Sequence, residues 1–121
     1  MKALKITTDN EISVIELEPP HHRSLNEALD GRVEVVHPRG LKPPYSMLVD
    51  EIGCMKSKPL NTVGCVLYDT FIHGEPIVGD IVITREEDGP DGRDLAGLND
   101  RDIELLTGYA NKILQRVVFL G

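Results

Sequence analysis

The segment Ile77-Val78-Gly79-Asp80-Ile81-Val82-Ile83-Thr84 carries the strongest structural signal in the chain. Its β-branched residues favour an extended backbone, because branched side chains pack well on a pleated surface. The pair Gly79-Asp80 interrupts the apolar run and indicates a bulge or a close approach of backbone within it. The segment therefore predicts a β-strand, and the other elements can be assigned outward from it.

Further strands are predicted in the rest of the chain. They are assigned where apolar and polar residues alternate or where β-branched residues dominate: residues 2–6, 12–17, 32–37, 46–49 and 63–72. The first two flank the turn Thr7–Asn10 and form a hairpin. In the last, Val63, Cys65, Leu67, Asp69 and Phe71 would share one face of the sheet.

Two helices are predicted from capping patterns. Ser24 and Glu27 have the spacing of a capping box, which predicts a short helix that stops at Asp30-Gly31. Asn99 would cap a second helix, with apolar residues at three-to-four spacing continuing it for about four turns. Residues 117–120 predict either the end of this helix or a last short strand.

These elements predict one α+β domain over residues 1–121. We expect a mainly antiparallel sheet of five to seven strands, with a short helix in the N-terminal half and a longer C-terminal helix packed on it. The chain has 121 residues, of which 40% are hydrophobic. That length supports a single domain with its own core.

Charge and composition exclude several classes of function. The net charge of -7 argues against general binding to nucleic-acid backbones or anionic membranes, and aromatic residues at 4% are too few for a base-stacking platform. No apolar run has the length of a signal peptide core or a membrane span. We expect a cytoplasmic protein, with Cys54 and Cys65 reduced and in or near the core.

The acidic excess is concentrated in one part of the chain. Residues 69–104 contain 11 acidic side chains and three arginines. Within it, residues 85–97 show no periodicity and predict a surface loop, and the order of acids does not fit an EF-hand. We interpret it as a solvated hairpin or crossover loop, or as an acidic surface for a basic protein partner. That surface would comprise Glu86, Glu87, Asp88, Asp91 and Asp94.

No catalytic constellation is recognisable. Phosphate-binding loops, nucleophile elbows and zinc-ligand spacings do not occur, so we predict no catalytic residue, no metal and no cofactor. The four histidines are interpreted as ordinary polar residues unless the fold brings them together with a carboxylate: His21, His22, His37 and His73. A non-catalytic protein is therefore expected.

Six short motifs follow one another in a recognisable order along residues 1–105. They are Met1-Lys2-Ala3-Leu4-Lys5-Ile6, Leu25–Leu29 followed by Gly31 and Val33-Glu34-Val35-Val36, Met47–Gly53, Pro59-Leu60-Asn61, Ile77–Ile83 and Leu98–Ile103. Their order resembles a family of short proteins from phages, plasmids and integrative elements, catalogued only as a domain of unknown function. An insert around Pro38–Pro44 and a tail from Thr107 depart from it. The resemblance implies an intracellular accessory protein and transfers no catalytic residue.

Polar positions within these motifs are the candidate binding residues: Asp50, Glu51, Gly53, Asn61 and Asp80. A turn acid, a loop amide and a strand aspartate could converge on a ligand. Alternatively, Asp50 and Asn61 hold loops by hydrogen bonds to the backbone.

Three functions remain open from the sequence. The leading hypothesis is a non-catalytic protein of a mobile element that binds a protein partner and that could form a homodimer through an edge strand or the long helix. The second is a small-ligand binder or sequestering protein with a pocket near Asp50, Glu51 and Asn61. The third is a small metal-dependent hydrolase that would need Asp50 or Asp80.

Overall fold

Six strands form one antiparallel sheet in the computed structural model, which describes residues 1–90 and 92–120. The strands are β1 (Lys2–Ile6), β2 (Ile12–Glu16), β3 (Val33–Val36), β4 (Tyr45–Asp50), β5 (Ile81–Gly89) and β6 (Gly92–Ala96). Their order is β2-β1-β5-β4-β3, and β6 pairs with the far end of β5 on the side of β1. The predicted antiparallel α+β fold is confirmed.

Helices cover both faces of this sheet. They are α1 (His21–Leu29), α2 (Thr62–Tyr68), the single turn α3 (Thr70–His73) and α4 (Asp100–Leu120). On one face, α2 and α4 pack on apolar side chains such as Leu4, Met47 and Ile83; on the other, α1 packs on Leu48 and Val82. Complete burial of each such side chain stabilises the fold by about 1.5–3 kcal/mol.

The start of α4 is formed as the sequence predicts. Asp102 N donates to Asn99 Oδ1 at 2.8 Å, and Asn99 N donates to Asp102 Oδ2 at 2.9 Å. Asp102 also accepts bonds from Tyr45 Oη at 2.6 Å and Arg85 Nη1 at 3.0 Å. Burial alone would raise the pKa of Asp102, but these bonds lower it. The helix continues through residues 117–120, so the alternative of a last strand is wrong.

No helix in the described part of the chain combines the length and the apolarity needed to cross a membrane.

The strand predicted for residues 63–72 is wrong, because α2 and α3 occupy this segment. Asn61 Oδ1 accepts a bond from Gly64 N at 2.9 Å and starts α2, and Asp69 lies between the helices in a left-handed conformation with φ of 61°. Val63 and Leu67 are both buried. They are four residues apart, so their spacing suits a helix face as well as alternate strand positions. The side chains of Phe71 and His73 lie outside the described residues.

The predicted capping role of Ser24 is also wrong. The helix α1 begins earlier, at His21 after Pro20, which places Ser24 inside it. The Ser24 hydroxyl instead donates to Glu18 O at 2.7 Å and accepts from Glu18 N at 3.1 Å. Ser24 therefore ties the preceding segment to the helix. The predicted stop is correct, since Asp30 ends α1 in a left-handed conformation with φ of 48°.

Over its described part, the segment 85–97 is a hairpin of β5 and β6, which confirms the hairpin interpretation and rules out an irregular loop. Arg85 pairs with Ala96 and Gly89 pairs with Gly92. The strand predicted at 77–84 begins only at Ile81, after Gly79 with φ of 77°, and it runs on to Gly89. The C-terminal half of β5 is held in the sheet by backbone pairing with β4 and β6. Such pairing does not require apolar and polar residues to alternate, so the sequence of β5 did not indicate it.

Candidate binding cleft

The five candidate residues do not form one site. Asp50, Glu51 and Gly53 lie at the end of β4 and in the turn that follows, and all three line one cleft. Asn61 caps α2, and Asp80 immediately precedes β5. Neither lines that cleft.

Asp50 is buried, with 5% of its surface exposed. Its Oδ2 accepts bonds from Lys56 Nζ at 2.9 Å and Lys58 Nζ at 2.8 Å, and its Oδ1 accepts from Ile52 N at 3.2 Å. Burial alone would raise the pKa of Asp50, but the bonds from the two lysines and the Ile52 amide lower it to about 2. The Asp50 carboxylate is therefore negatively charged at neutral pH, and this charge is compensated within the protein by Lys56 and Lys58.

The two lysines extend this cluster to the end of α1. Lys58 Nζ donates to Leu29 O at 2.8 Å and Asp30 O at 3.1 Å, and Lys56 Nζ donates to Asp30 O at 3.1 Å. Cations are favourable there, because the last carbonyls of a helix lack partners and carry partial negative charge. Sequence reasoning missed both lysines as partners of Asp50. Their signal was the basic stretch that follows the acidic turn.

Asn61 is completely buried and fully used in structural bonds. Its Nδ2 donates to Ile6 O and Gly79 O, each at 3.0 Å, in addition to the cap on Gly64. Asp80 has a similar role near the surface, since its Oδ1 accepts from Thr8 N at 3.1 Å and its Oδ2 lies 3.6 Å from Lys5 Nζ. These side chains hold loops in place, as the alternative interpretation expects for Asn61.

A cleft of about 310 Å³ lies between the strands β3 and β4 and the segment 75–78. Its apolar lining comes from Val36, Val49, Ile77 and the half-buried Val78, and Tyr68 also lines it. The cleft lies beside α2, on the face of the sheet that α2 and α4 cover.

The rim of the cleft is acidic. Glu34, Glu51 and Glu75 line it beside Asp50, and no lysine, arginine or histidine does so among the described residues. Glu34 has no hydrogen-bond or ion-pair partner in the described part of the chain. Glu51 lies 3.8 Å from Arg32 Nε, and both side chains are largely exposed, so this pair adds about 1 kcal/mol at most.

Cys54 also lines the cleft. This residue is exposed, so the expectation that it lies in or near the core is wrong, whereas Cys65 is partly buried as expected. Both thiols are free. Cys54 belongs to the turn that follows β4, in which most side chains are exposed.

Sequence reasoning missed Glu34, Glu75 and Tyr68 as parts of a site. Glu34 was assigned only as a strand residue, although a carboxylate among three valines in β3 is a usable signal. Glu75 and Tyr68 join the cleft only because the segment before them is helical. No pattern in the sequence connects them with β3.

Arg93 compensates part of the acidic charge of the hairpin formed by β5 and β6. Glu86 Oε1 lies 2.7 Å from His37 Nε2, and its Oε2 lies 3.5 Å from Arg93 Nε. Arg93 also bonds Asp88 at 3.1 Å. Glu87 and Asp94 face each other across β5 and β6, both exposed. Asp91 lies outside the described residues.

The remaining histidine candidates with described side chains are His21, His22 and His37. His21 and His22 open α1, far along the chain from His37. Among the residues that the structure describes, no group of three or more histidine, cysteine, aspartate and glutamate side chains is arranged to hold a metal ion.

By fold and site, this is a small α+β protein with helices on both sides of an antiparallel sheet and an acidic cleft at one sheet edge. The chain belongs to the family described as Domain of unknown function (DUF3846), which matches residues 1–111. The matched range spans Pro38–Pro44 and the first residues of the segment from Thr107, the two places where the chain was expected to depart from the family. No curated protein and no solved structure matches the chain.

Proposed function

We propose that this is a non-catalytic binding protein that takes a positively charged group with an apolar stem into the cleft. One observation carries the proposal: an apolar lining is combined with three rim carboxylates and with no basic side chain among the described residues. A cavity with few polar groups of one sign selects a ligand of the opposite sign.

The chemistry of a lysine or arginine side chain, or of an organic amine, fits this arrangement. Its methylene stem would lie on Val36, Val49 and Ile77, and its cationic head would reach Glu34 and Glu51. Charge-assisted hydrogen bonds of this kind are roughly twice as strong as neutral ones. An anionic ligand would instead meet repulsion from every charged group on the rim.

The acidic hairpin supports a second candidate, a surface for a basic protein partner. Glu87 and Asp94 lie directly opposite each other, and like charges in that position are destabilising. A cationic partner would relieve the repulsion. The cleft is the stronger candidate, because Glu86 and Asp88 on the hairpin are already bonded within the chain.

The test is a calorimetric titration with 1,5-diaminopentane. We expect binding to the wild type and a loss of about tenfold or more in affinity for the double variant Glu34→Gln/Glu51→Gln, since two charged contacts disappear. The matched control is Glu87→Gln/Asp94→Asn, which removes the same charge from the hairpin. Equal affinity of the cleft variant and the wild type would contradict the proposal. Loss of binding only in the control would assign the cation site to the hairpin.

The biological setting proposed from the sequence is a cytoplasmic accessory protein of a phage or other mobile element that acts on a protein partner. It is supported by the order of short motifs from Met1 to Ile103. Gene neighbourhood tests it directly. We expect genes for this family beside integrase, replication or phage structural genes, and a consistent location among unrelated chromosomal genes would contradict the setting.

A further inference from the structure

The strand β3 ends the sheet on the side of the cleft. Glu51 N donates to Arg32 O at 2.7 Å, in register with the pair Val33 and Asp50. Because hydrogen-bonded pairs alternate along antiparallel strands, Glu34 and Val36 direct their N–H and C=O groups toward β4, whereas Val33 and Val35 direct theirs outward. No other described strand pairs with this edge.

The opposite edge of the sheet has the same backbone pattern without a cleft. Thr7 N bonds Glu11 O at 3.0 Å and Leu17 N bonds Met1 O at 2.8 Å, so Ile12, Val14 and Glu16 of β2 direct their backbone groups outward. No residue of β2 lines the cleft. The two edges therefore differ in the acidic cavity and not in backbone geometry.

We infer that the cleft and the β3 edge together bind an extended basic peptide segment of a protein partner. This inference rests on the proposed function, whose cationic group it assigns to a lysine or arginine of that segment. The peptide backbone pairs with the outward groups of Val33 and Val35, as in other cases of strand addition.

Geometry couples the two parts of this surface. A residue of an added strand that faces Glu34 has its Cβ about 4.5–5.5 Å from that of Glu34, within reach of an ion pair. Alternate side chains of a strand share one face, so every second residue of the peptide points toward the cleft. A peptide that alternates valine and lysine therefore matches both the open edge and the acidic rim.

Peptides with altered backbones test the strand pairing. The probe is an acetylated and amidated pentapeptide, valine-lysine-valine-lysine-valine, compared with a version methylated on its backbone nitrogens and with one carrying glutamine for lysine. We expect each change to weaken binding about tenfold or more, because one removes the donors of the strand and the other the cationic heads. Equal binding of the methylated peptide would overturn the inference.

Proline substitutions make the same test on the protein. Val35→Pro removes an outward N–H while keeping the bonds between β3 and β4, and proline is tolerated on edge strands in this orientation. The matched control is Val14→Pro on β2, where the valine is similarly exposed, 50% against 42%. We expect peptide binding to fall about tenfold for Val35→Pro and to persist for Val14→Pro.

The outcomes separate the inference from the proposed function. Unchanged peptide binding by folded Val35→Pro would overturn strand addition, and if that variant does not fold, the methylated peptide decides the question. Binding of 1,5-diaminopentane to the wild type without any discrimination between the peptides would keep the proposed function and reject the inference. Absence of diamine binding would reject the proposed function itself.

Discussion

Asp50 joins three parts of the chain through one buried carboxylate. Asp50 is the last residue of β4, and its carboxylate accepts hydrogen bonds from the ammonium groups of Lys56 and Lys58. These lysines also donate to the last carbonyls of α1. Gly31 lies so close that a Cβ there would overlap the Asp50 carboxyl group. A buried ion pair is costly to break from one side, because the remaining charge loses its compensation.

Replacing Asp50 with Asn is therefore expected to destabilise the fold. The pKa of Asp50 is about 2 against an ordinary 3.8, which corresponds to about 2 kcal/mol of stability at neutral pH. Urea unfolding of Asp50→Asn and the wild type measures the loss. The control is Glu51→Gln at the neighbouring exposed position, where we expect a change below about 0.5 kcal/mol.

The loss should also depend on pH in a defined direction. Because the folded pKa of Asp50 lies below the unfolded value, its contribution is complete above about pH 5 and is lost as the pH falls toward 2. The stability difference between wild type and Asp50→Asn should shrink over that range. Asp102, whose pKa is also lowered, is present in both proteins and cancels in the difference. A difference that stays constant down to pH 2 would contradict this account.

At the scale of elements, two asparagines begin helices in different ways. Asn99 caps α4 at the surface through one side-chain acceptor. Asn61 caps α2 and also donates to β1 and to the segment before β5, while completely buried. The first organises one helix, and the second connects three elements.

Alanine substitutions should separate these roles. Asn99→Ala should cost about 1 kcal/mol, the ordinary value of an N-cap. Asn61→Ala should cost more, about 3 kcal/mol, since it also leaves two buried carbonyls without donors. Asn61→Asp keeps the acceptor for Gly64 but removes the donors, so its stability should stay well below that of wild type. Thermal and urea unfolding measure these values, and equal losses for the two alanine variants would show that Asn61 acts only as a cap.

At the scale of the molecule, charge is distributed unevenly over a domain with a net charge of -7. Basic groups compensate the acids inside the Asp50 cluster and partly on the hairpin. Of the three rim glutamates, Glu51 alone has a basic neighbour among the described residues, the exposed Arg32. Long-range attraction of a cation to this face is therefore expected, and it should be sensitive to salt.

Diamine affinity should fall as ionic strength rises toward about 1 M, where the Debye length is only about 3 Å. The double variant Glu34→Gln/Glu51→Gln should show a much flatter salt dependence, because its rim has lost two of three carboxylates. Calorimetric titrations of both proteins at several salt concentrations measure this. Identical salt dependence of the two proteins would place the attraction outside the cleft.

Much of the fold follows from local patterns. The strand Lys2–Ile6, the hairpin after it, the stop at Asp30 and the capping box of Asn99 with Asp102 each depend on residues close together in the chain. Hydrophobic periodicity and capping depend on residues only a few positions apart, so these elements can be predicted from the sequence alone. The family match over residues 1–111 spans these local motifs.

The sequence by itself therefore determined the fold class, most strands and the long helix, whereas only the tertiary structure decided the rest. The spacing of Val63 and Leu67 suits a strand or a helix, and the bonds of Asn61 to distant backbone fixed the helix. The cleft joins Glu34, Glu51 and Glu75, which no local pattern relates. The physical reason is that burial and ion pairing depend on which distant segments meet, and backbone pairing across the sheet settles that.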